Sequence, residues 1–139
     1  MITFHTIDVS LQISQSQFKK WLVKVAKSEG KRVGTINYVF CNDSYLLGVN
    51  QKYLNHDTYT DIITFDNSSG DFISADIYIS SERVTENALI NNVDFINELL
   101  RVVVHGLLHL CGYKDKTDDQ RQIMRLKEDE KTALFHVER

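Results

Sequence analysis

Residues 97–115 read N-E-L-L-R-V-V-V-H-G-L-L-H-L-C-G-Y-K-D, and this strongly apolar run is typical of a helix that is covered on several sides. It carries His105 and His109 four residues apart. At about 100° per residue, that spacing places both imidazole rings on one helix face, one turn apart. Gly112 stands where a left-handed helix cap is expected. The chain can therefore reverse there and bring Asp115 back toward the two rings.

Two imidazoles and a carboxylate on one face form a ligand set for a divalent transition metal, with zinc as the first choice. The alternative is a pair of core histidines whose ring nitrogens are satisfied by hydrogen bonds. Two buried imidazoles in so apolar a segment each cost free energy if they are unpaired, which favours the metal. The sequence thus predicts one zinc ion held by His105, His109 and Asp115. Three protein ligands leave a fourth tetrahedral position for water, as in hydrolytic zinc sites.

Length and composition are those of a globular protein. The 139 residues predict a single domain over residues 1–139, with roughly two-thirds of the unfolded surface buried. There is no run of 18 apolar residues, and the first residues lack the basic and apolar regions of a secretion signal. Two cysteines, Cys41 and Cys111, are too few for a disulfide framework. These features predict a cytoplasmic protein without a membrane segment.

Basic residues cluster near the N-terminus, although the formal net charge of −3 does not itself indicate nucleic-acid binding. Between residues 19 and 32 the only acidic residue is Glu29, and the basic residues are Lys19, Lys20, Lys24, Lys27, Lys31 and Arg32. The solvated face of a surface helix explains this cluster, and on sequence alone we favour that interpretation. The alternative is contact with an RNA backbone, for which Lys20, Lys24 and Lys27 are the candidates.

The remaining patterns predict an α+β fold with a small mixed, mostly parallel sheet that is packed by helices around a central metal-bearing helix. The predicted strands lie at 2–9, 32–41, 59–65 and 72–80, the last two forming a hairpin. The predicted helices begin after a Ser14–Gln17 capping box, after Asn42 or Asp43, at Ser81, at Asn92 or Asp94, and after a Thr117–Gln120 capping box. Apolar positions of the last helix include Ile123, Met124, Leu126 and Leu134.

Three stretches resemble signatures of the YbeY family of metal-dependent rRNA maturation endoribonucleases. H-G-L-L-H-L-C-G-Y at 105–113 is similar to the family's H-G-x-L-H-L-x-G-Y-D-H. T-D-I-I-T-F at 60–65 resembles T-D-V-L-S-F, and A-D-I-Y-I-S at 75–80 resembles G-D-I-x-I-S. The resemblance covers nearly the whole chain. It implies an α+β fold, a zinc ion held by three side chains, and a cytoplasmic enzyme. It further implies cleavage of single-stranded RNA in 16S rRNA 3′-end maturation and ribosome quality control, with the small ribosomal subunit as partner.

The chain departs from the family pattern at two positions. The third histidine of the signature falls on Asp115, whose negative charge is expected to make the metal a weaker Lewis acid. The arginine that the family carries upstream of T-D-V falls on Leu54. If that arginine binds phosphate or helps to stabilise the transition state, this protein has to use another cation or cleave poorly. The candidates are Lys52, Arg101, Lys114 and Lys116.

The group that transfers protons is not evident from the motif. Gly106 occupies the place of the glutamate in H-E-x-x-H and cannot act as a base. A glycine at this position has a structural explanation, because it permits the close approach of a backbone or a substrate. Asp61 and Asp76 are candidate bases, and Arg101 is a further catalytic candidate. The alternatives to a nuclease are a non-catalytic RNA-binding module of ribosome biogenesis with a structural metal, and a metal-dependent peptidase. A non-haem iron oxygenase ranks last.

Overall fold

The computed structural model describes residues 1–56 and 58–137 of the chain. Its strands are β1 (Ile2–Thr6), β2 (Arg32–Cys41), β3 (Ile62–Asp66) and β4 (Phe72–Ser80). Its helices are α1 (Gln15–Ser28), α2 (Asp43–Leu54), α3 (Ser81–Ile90), α4 (Phe95–Leu110) and α5 (Asp118–Val137). This element order confirms the predicted α+β class.

The sheet has the strand order β1-β2-β4-β3. β1 pairs with β2 and β2 with β4 in parallel, whereas β3 and β4 form the antiparallel hairpin that the short turn predicted. The β2–β4 pairing runs from Arg32 opposite Phe72 to Cys41 opposite Ser80. The sheet is therefore mixed and mostly parallel, as the sequence predicted.

Helix α4 lies at the centre of the molecule. Its leucine and valine side chains are almost fully buried against the sheet and the neighbouring helices, and each contributes about 1.5–3 kcal/mol to folding. Gly106 lets the helix lie close to the sheet, since a Cβ there would come within 3.0 Å of Ile62 Cδ1 and 3.3 Å of Ile77 Cδ1. The neighbours that need this space are side chains of β3 and β4, rather than the backbone or substrate that the sequence suggested.

The two faces of the sheet have different cores. Ile77 and Ile79 of β4 face α4 within the larger core cluster. Tyr78, between them, packs on the opposite face with residues of α2 such as Leu46. Because side chains alternate along a strand, Asp76 also lies on the α2 side.

Three local predictions differ from the structure. β1 ends at Thr6 rather than near residue 9, because Asp8 adopts a left-handed conformation with φ 55°. Ser14 precedes α1 but its side chain makes no capping hydrogen bond. β3 runs over Ile62–Asp66 rather than 59–65. The Thr117–Gln120 capping box is confirmed by two reciprocal hydrogen bonds of 3.1 Å.

Within the described residues, the structure contains no helix that combines the length and the apolar character required to span a bilayer.

Candidate metal centre

The side chains of His105, His109 and Asp115 converge at the C-terminal end of α4. The two Nε2 atoms lie 3.0 Å apart. Asp115 Oδ2 is 3.2 Å from His105 Nε2 and 3.3 Å from His109 Nε2. The structure thus brings together the three residues that the sequence predicted as ligands.

This triangle fits a tetrahedral zinc ion. Ligand atoms held 2.0–2.1 Å from one ion in tetrahedral geometry lie about 3.3 Å from each other, which is close to the three separations observed here. Nitrogen and carboxylate oxygen atoms are also the donors that zinc accepts. The residues present therefore suit the ion that the resemblance implied.

The backbone after α4 fixes the orientation of His109. Gly112 adopts φ 106°, which reverses the chain. The Tyr113 carbonyl then returns to within 2.9 Å of His109 Nδ1. A carbonyl oxygen can only accept a hydrogen bond, so Nδ1 carries the proton and Nε2 presents its lone pair to the centre of the triangle.

Glu128 of α5 fixes the second ring in the same way. His105 Nδ1 donates to Glu128 Oε2 over 2.6 Å, and Arg101 Nη1 donates to Glu128 Oε1 over 2.8 Å. Burial acts against the protonated ring, but the hydrogen bond and charge of Glu128 outweigh it and raise the pKa of His105 above its usual value. A carboxylate behind a metal-binding histidine sets its tautomer and increases its basicity.

The loop that carries Asp115 is tied to the body of the protein through Tyr113. Its hydroxyl donates to Glu29 Oε1 over 2.6 Å. Lys131 of α5 holds the other oxygen of Glu29 at 2.9 Å. The position of the third donor is therefore supported by Glu29 at the end of α1 and by Lys131 of α5.

A cleft of about 440 Å³ opens at the triangle and is bordered by the start of β3. Asp61 lines it together with the three donor residues, and Thr64 and Asp66 lie farther along. Burial raises the pKa of Asp61 above its ordinary value, although the nearby His105 acts against that shift. A carboxyl group that binds its proton more tightly beside a metal centre can accept or donate a proton during hydrolysis.

The other sequence candidates lie in different surroundings. Asp76 accepts a hydrogen bond of 2.9 Å from Asn37 Nδ2 on the α2 side of the sheet. Arg101 lines a groove beside His105 and Asp115, but its guanidinium is engaged by Glu128 and, over 2.7 Å, by Asp129. Leu54 ends α2 and is 41% exposed. The lysines that were proposed to replace the family arginine are Lys52, Lys114 and Lys116. None of the three is among the described residues that line the cleft.

Two functional candidates were missed in the sequence. Glu128 lies 23 residues after His105 in the chain. The available signal was that Glu128 falls on the same face of α5 as the apolar residues Met124 and Phe135. Arg125 lines the grooves that adjoin His105 and Asp115. Arg121 borders one of these grooves but pairs with Asp118. Among the residues that the structure describes, no carboxylate forms an ion pair with Arg125, so its charge is available to a ligand.

Comparison with known proteins places these features in a family. The family model described as Endoribonuclease YbeY matches residues 2–136. The Endoribonuclease YbeY of Flavobacterium johnsoniae is 55% identical over 139 residues, which cover 99% of each chain. That of Christiangramia forsetii is 53% identical over 124 residues, covering 89% of this chain and 87% of its own. The solution structure of TM1509 from Thermotoga maritima is similar with a TM-score of 0.68 and 28% identity, covering 99% of this chain and 91% of that one.

Proposed function

Because the chain belongs to the Endoribonuclease YbeY family, we propose that it is a zinc-dependent endoribonuclease that cuts single-stranded RNA. Residues 1–139 act as one domain in the cytoplasm, and the substrate is the 3′ end of 16S rRNA on the small ribosomal subunit during maturation and quality control. The observation that carries the proposal is the convergence of two Nε2 atoms and one carboxylate oxygen within 3.3 Å. The family names of the relatives support RNA as the substrate class.

The ligands in this proposal are His105, His109 and Asp115. A zinc ion bound to them supplies Lewis acidity and activates water at neutral pH. Glu128 and the Tyr113 carbonyl keep both rings in the tautomer that presents Nε2. The cleft beside the triangle gives an extended RNA chain access to the donors from the β3 side.

Arg125 takes the place of the family arginine in this proposal. Its guanidinium borders the groove at His105 and Asp115 and can bind a phosphate oxygen in a bidentate geometry. Arg101 serves instead to hold Glu128. An Arg125→Gln variant with an unchanged KM and kcat for RNA would reject this assignment.

Asp61→Asn is expected to lower kcat for RNA cleavage by about 100-fold or more, the usual contribution of a general acid or base. The amide cannot exchange a proton, so the variant also loses one limb of the pH–rate profile. Metal affinity should stay within a few-fold of wild type, because Asp61 is not one of the three donors. Asp76→Asn is the matched control, since the same change is made on the opposite face of the sheet. Equal kcat values for the two variants would show that Asp61 does not transfer the proton.

The function is tested by incubating unstructured RNA with the protein before and after chelation and after return of zinc. We expect internal cleavage that chelation abolishes and zinc restores, with a structured RNA duplex and an unstructured peptide left intact. RNA binding without turnover, together with a melting temperature that falls on chelation, would instead identify a non-catalytic module with a structural metal. Cleavage of the peptide would identify a peptidase.

A further inference from the structure

We propose that a basic cleft at the opposite end of the sheet is a second binding site for the RNA chain, which holds the substrate at a distance from the cut. This inference rests on the proposed function, because it names a further contact for the same RNA. The cleft has a volume of about 830 Å³ and lies where β1 and β2 begin and α1 ends. Its lining residues include four cations, Lys19, Lys27, Lys31 and Arg32.

The cleft and the metal centre lie at different ends of the sheet. Arg32 at the cleft is opposite Phe72 at the start of β4. Ile62 at the metal cleft is opposite Ile79, near the end of β4. At 3.3 Å per residue, the seven steps between these two positions of β4 separate the sites by roughly 20 Å. An extended RNA chain can cover that distance, whereas a dinucleotide cannot.

Within the described part of the chain, the cations of the cleft are not paired with acidic side chains, although the backbone N–H of Arg32 donates to the Asp71 carbonyl. Among the described residues, no carboxylate lies within ion-pair distance of Lys19, Lys27, Lys31 or Arg32. Glu29, the only acidic residue of that segment, is turned toward Tyr113 and Lys131 instead. Burial favours its protonated form, but hydrogen bonds from Tyr113 and Lys131 keep its pKa below the usual value. The charge that would balance the lysines is therefore committed elsewhere.

Uncompensated cations in a protein of net charge −3 point to an anionic ligand. The cleft also has apolar walls from Ile2, Val23 and Val33. Beside it, the Arg32 guanidinium lies 5.7 Å from the centre of the Phe72 ring, and Phe72 is 49% exposed. Cations along a groove with an exposed ring beside them are the combination that binds single-stranded nucleic acid, by phosphate contacts and base stacking. An acidic polypeptide would use the cations but not the ring.

The test compares a charge-removing triple variant, Lys27→Gln with Lys31→Gln and Arg32→Gln, with a charge-conserving triple, Lys27→Arg with Lys31→Arg and Arg32→Lys. Binding of a long unstructured RNA is measured by fluorescence anisotropy over a range of salt concentrations, with chelator present to keep the RNA intact. Because each phosphate contact adds about 0.7 to the salt slope for single strands, the charge-removing triple should lower that slope by about 2. The charge-conserving triple should match wild type.

An unchanged slope in the charge-removing triple would overturn the proposal. Lys20→Gln removes a charge from the same helix outside the cleft, and an effect equal to that of Lys27→Gln would assign the contact to the exposed helix face. Weaker binding of polyglutamate with RNA binding intact would assign the cleft to an acidic partner. Cleavage of RNA by the metal-loaded wild type is measured in parallel, so that failure of the proposed function is seen separately.

Discussion

His109→Ala is expected to remove metal binding and RNA cleavage together. The substitution deletes one of three donor atoms that lie within 3.3 Å of each other and leaves two, which cannot hold the ion in the same geometry. Changing a residue that only orients a ligand already costs about 10–100-fold in metal affinity, so losing the ligand itself should cost at least about 100-fold. Zinc affinity is measured by competition with a chromophoric chelator, and cleavage on an unstructured RNA.

His5→Ala is the matched control for this loss. His5 is an exposed residue of β1 whose ring contacts the Thr3 hydroxyl, and it should leave zinc affinity and cleavage at wild-type values. The His109 side chain is 31% exposed, so its truncation should not empty the core, and unfolding of the chelated variant should resemble that of the chelated wild type. Wild-type zinc affinity in His109→Ala would remove this residue from the ligand set.

Glu128→Ala is expected to weaken both the fold and the metal centre. Its side chain is only 7% exposed and lies between Arg101 and His105. Removing it leaves Arg101 with only the exposed Asp129 as a partner and His105 Nδ1 without an acceptor, which should lower the free energy of unfolding by about 1–3 kcal/mol. His105 also loses the acceptor that fixes its tautomer, so zinc affinity should fall by about 10–100-fold. Denaturant unfolding measures the first effect and chelator competition the second.

Asp129→Ala separates these two contributions. Asp129 also pairs with Arg101, at 2.7 Å, but its side chain is 56% exposed and makes no contact with the metal-binding histidines. An exposed pair of this kind contributes less than about 1 kcal/mol, and zinc affinity should not change. If Glu128→Ala lost stability but kept wild-type zinc affinity, Glu128 would be a structural partner of Arg101 only.

The ligand set could be predicted because its geometry is local. His105 and His109 share a helix face by their spacing alone, and Gly112 marks the reversal that returns Asp115 to that face. The same locality explains why β2 and β4 were predicted at their observed bounds, since β-branched and aromatic residues fill both segments. Periodicity and turn chemistry act over a few residues, and the sequence displays them directly.

Glu128 depends on a contact between distant segments. The sequence of α5 is rich in acidic residues, and nothing in its composition singles out one of them. The buried positions of the helix do form a helical series, Met124, Glu128, Lys131 and Phe135. A glutamate and a lysine at apolar positions of that series were the available signal, because buried charges require partners. Finding those partners, however, required knowing that α5 packs beside α4.

The lysine cluster illustrates the same limit for charge. In the sequence, Glu29 is the only acidic residue among the lysines. In the structure it accepts a hydrogen bond from Tyr113, 84 residues away. Only the tertiary contact reveals that the segment's single carboxylate is turned elsewhere, and only then does the unbalanced charge of the cleft become visible.

The position of Glu128 on α5 has a consequence for folding. His105 has no acceptor for its Nδ1 proton until α5 has docked against α4. A partly folded chain in which α5 is undocked therefore holds an unfinished centre of low metal affinity. Metal binding and the docking of α5 are thus linked, and an ion that binds the completed centre stabilises the packed helix.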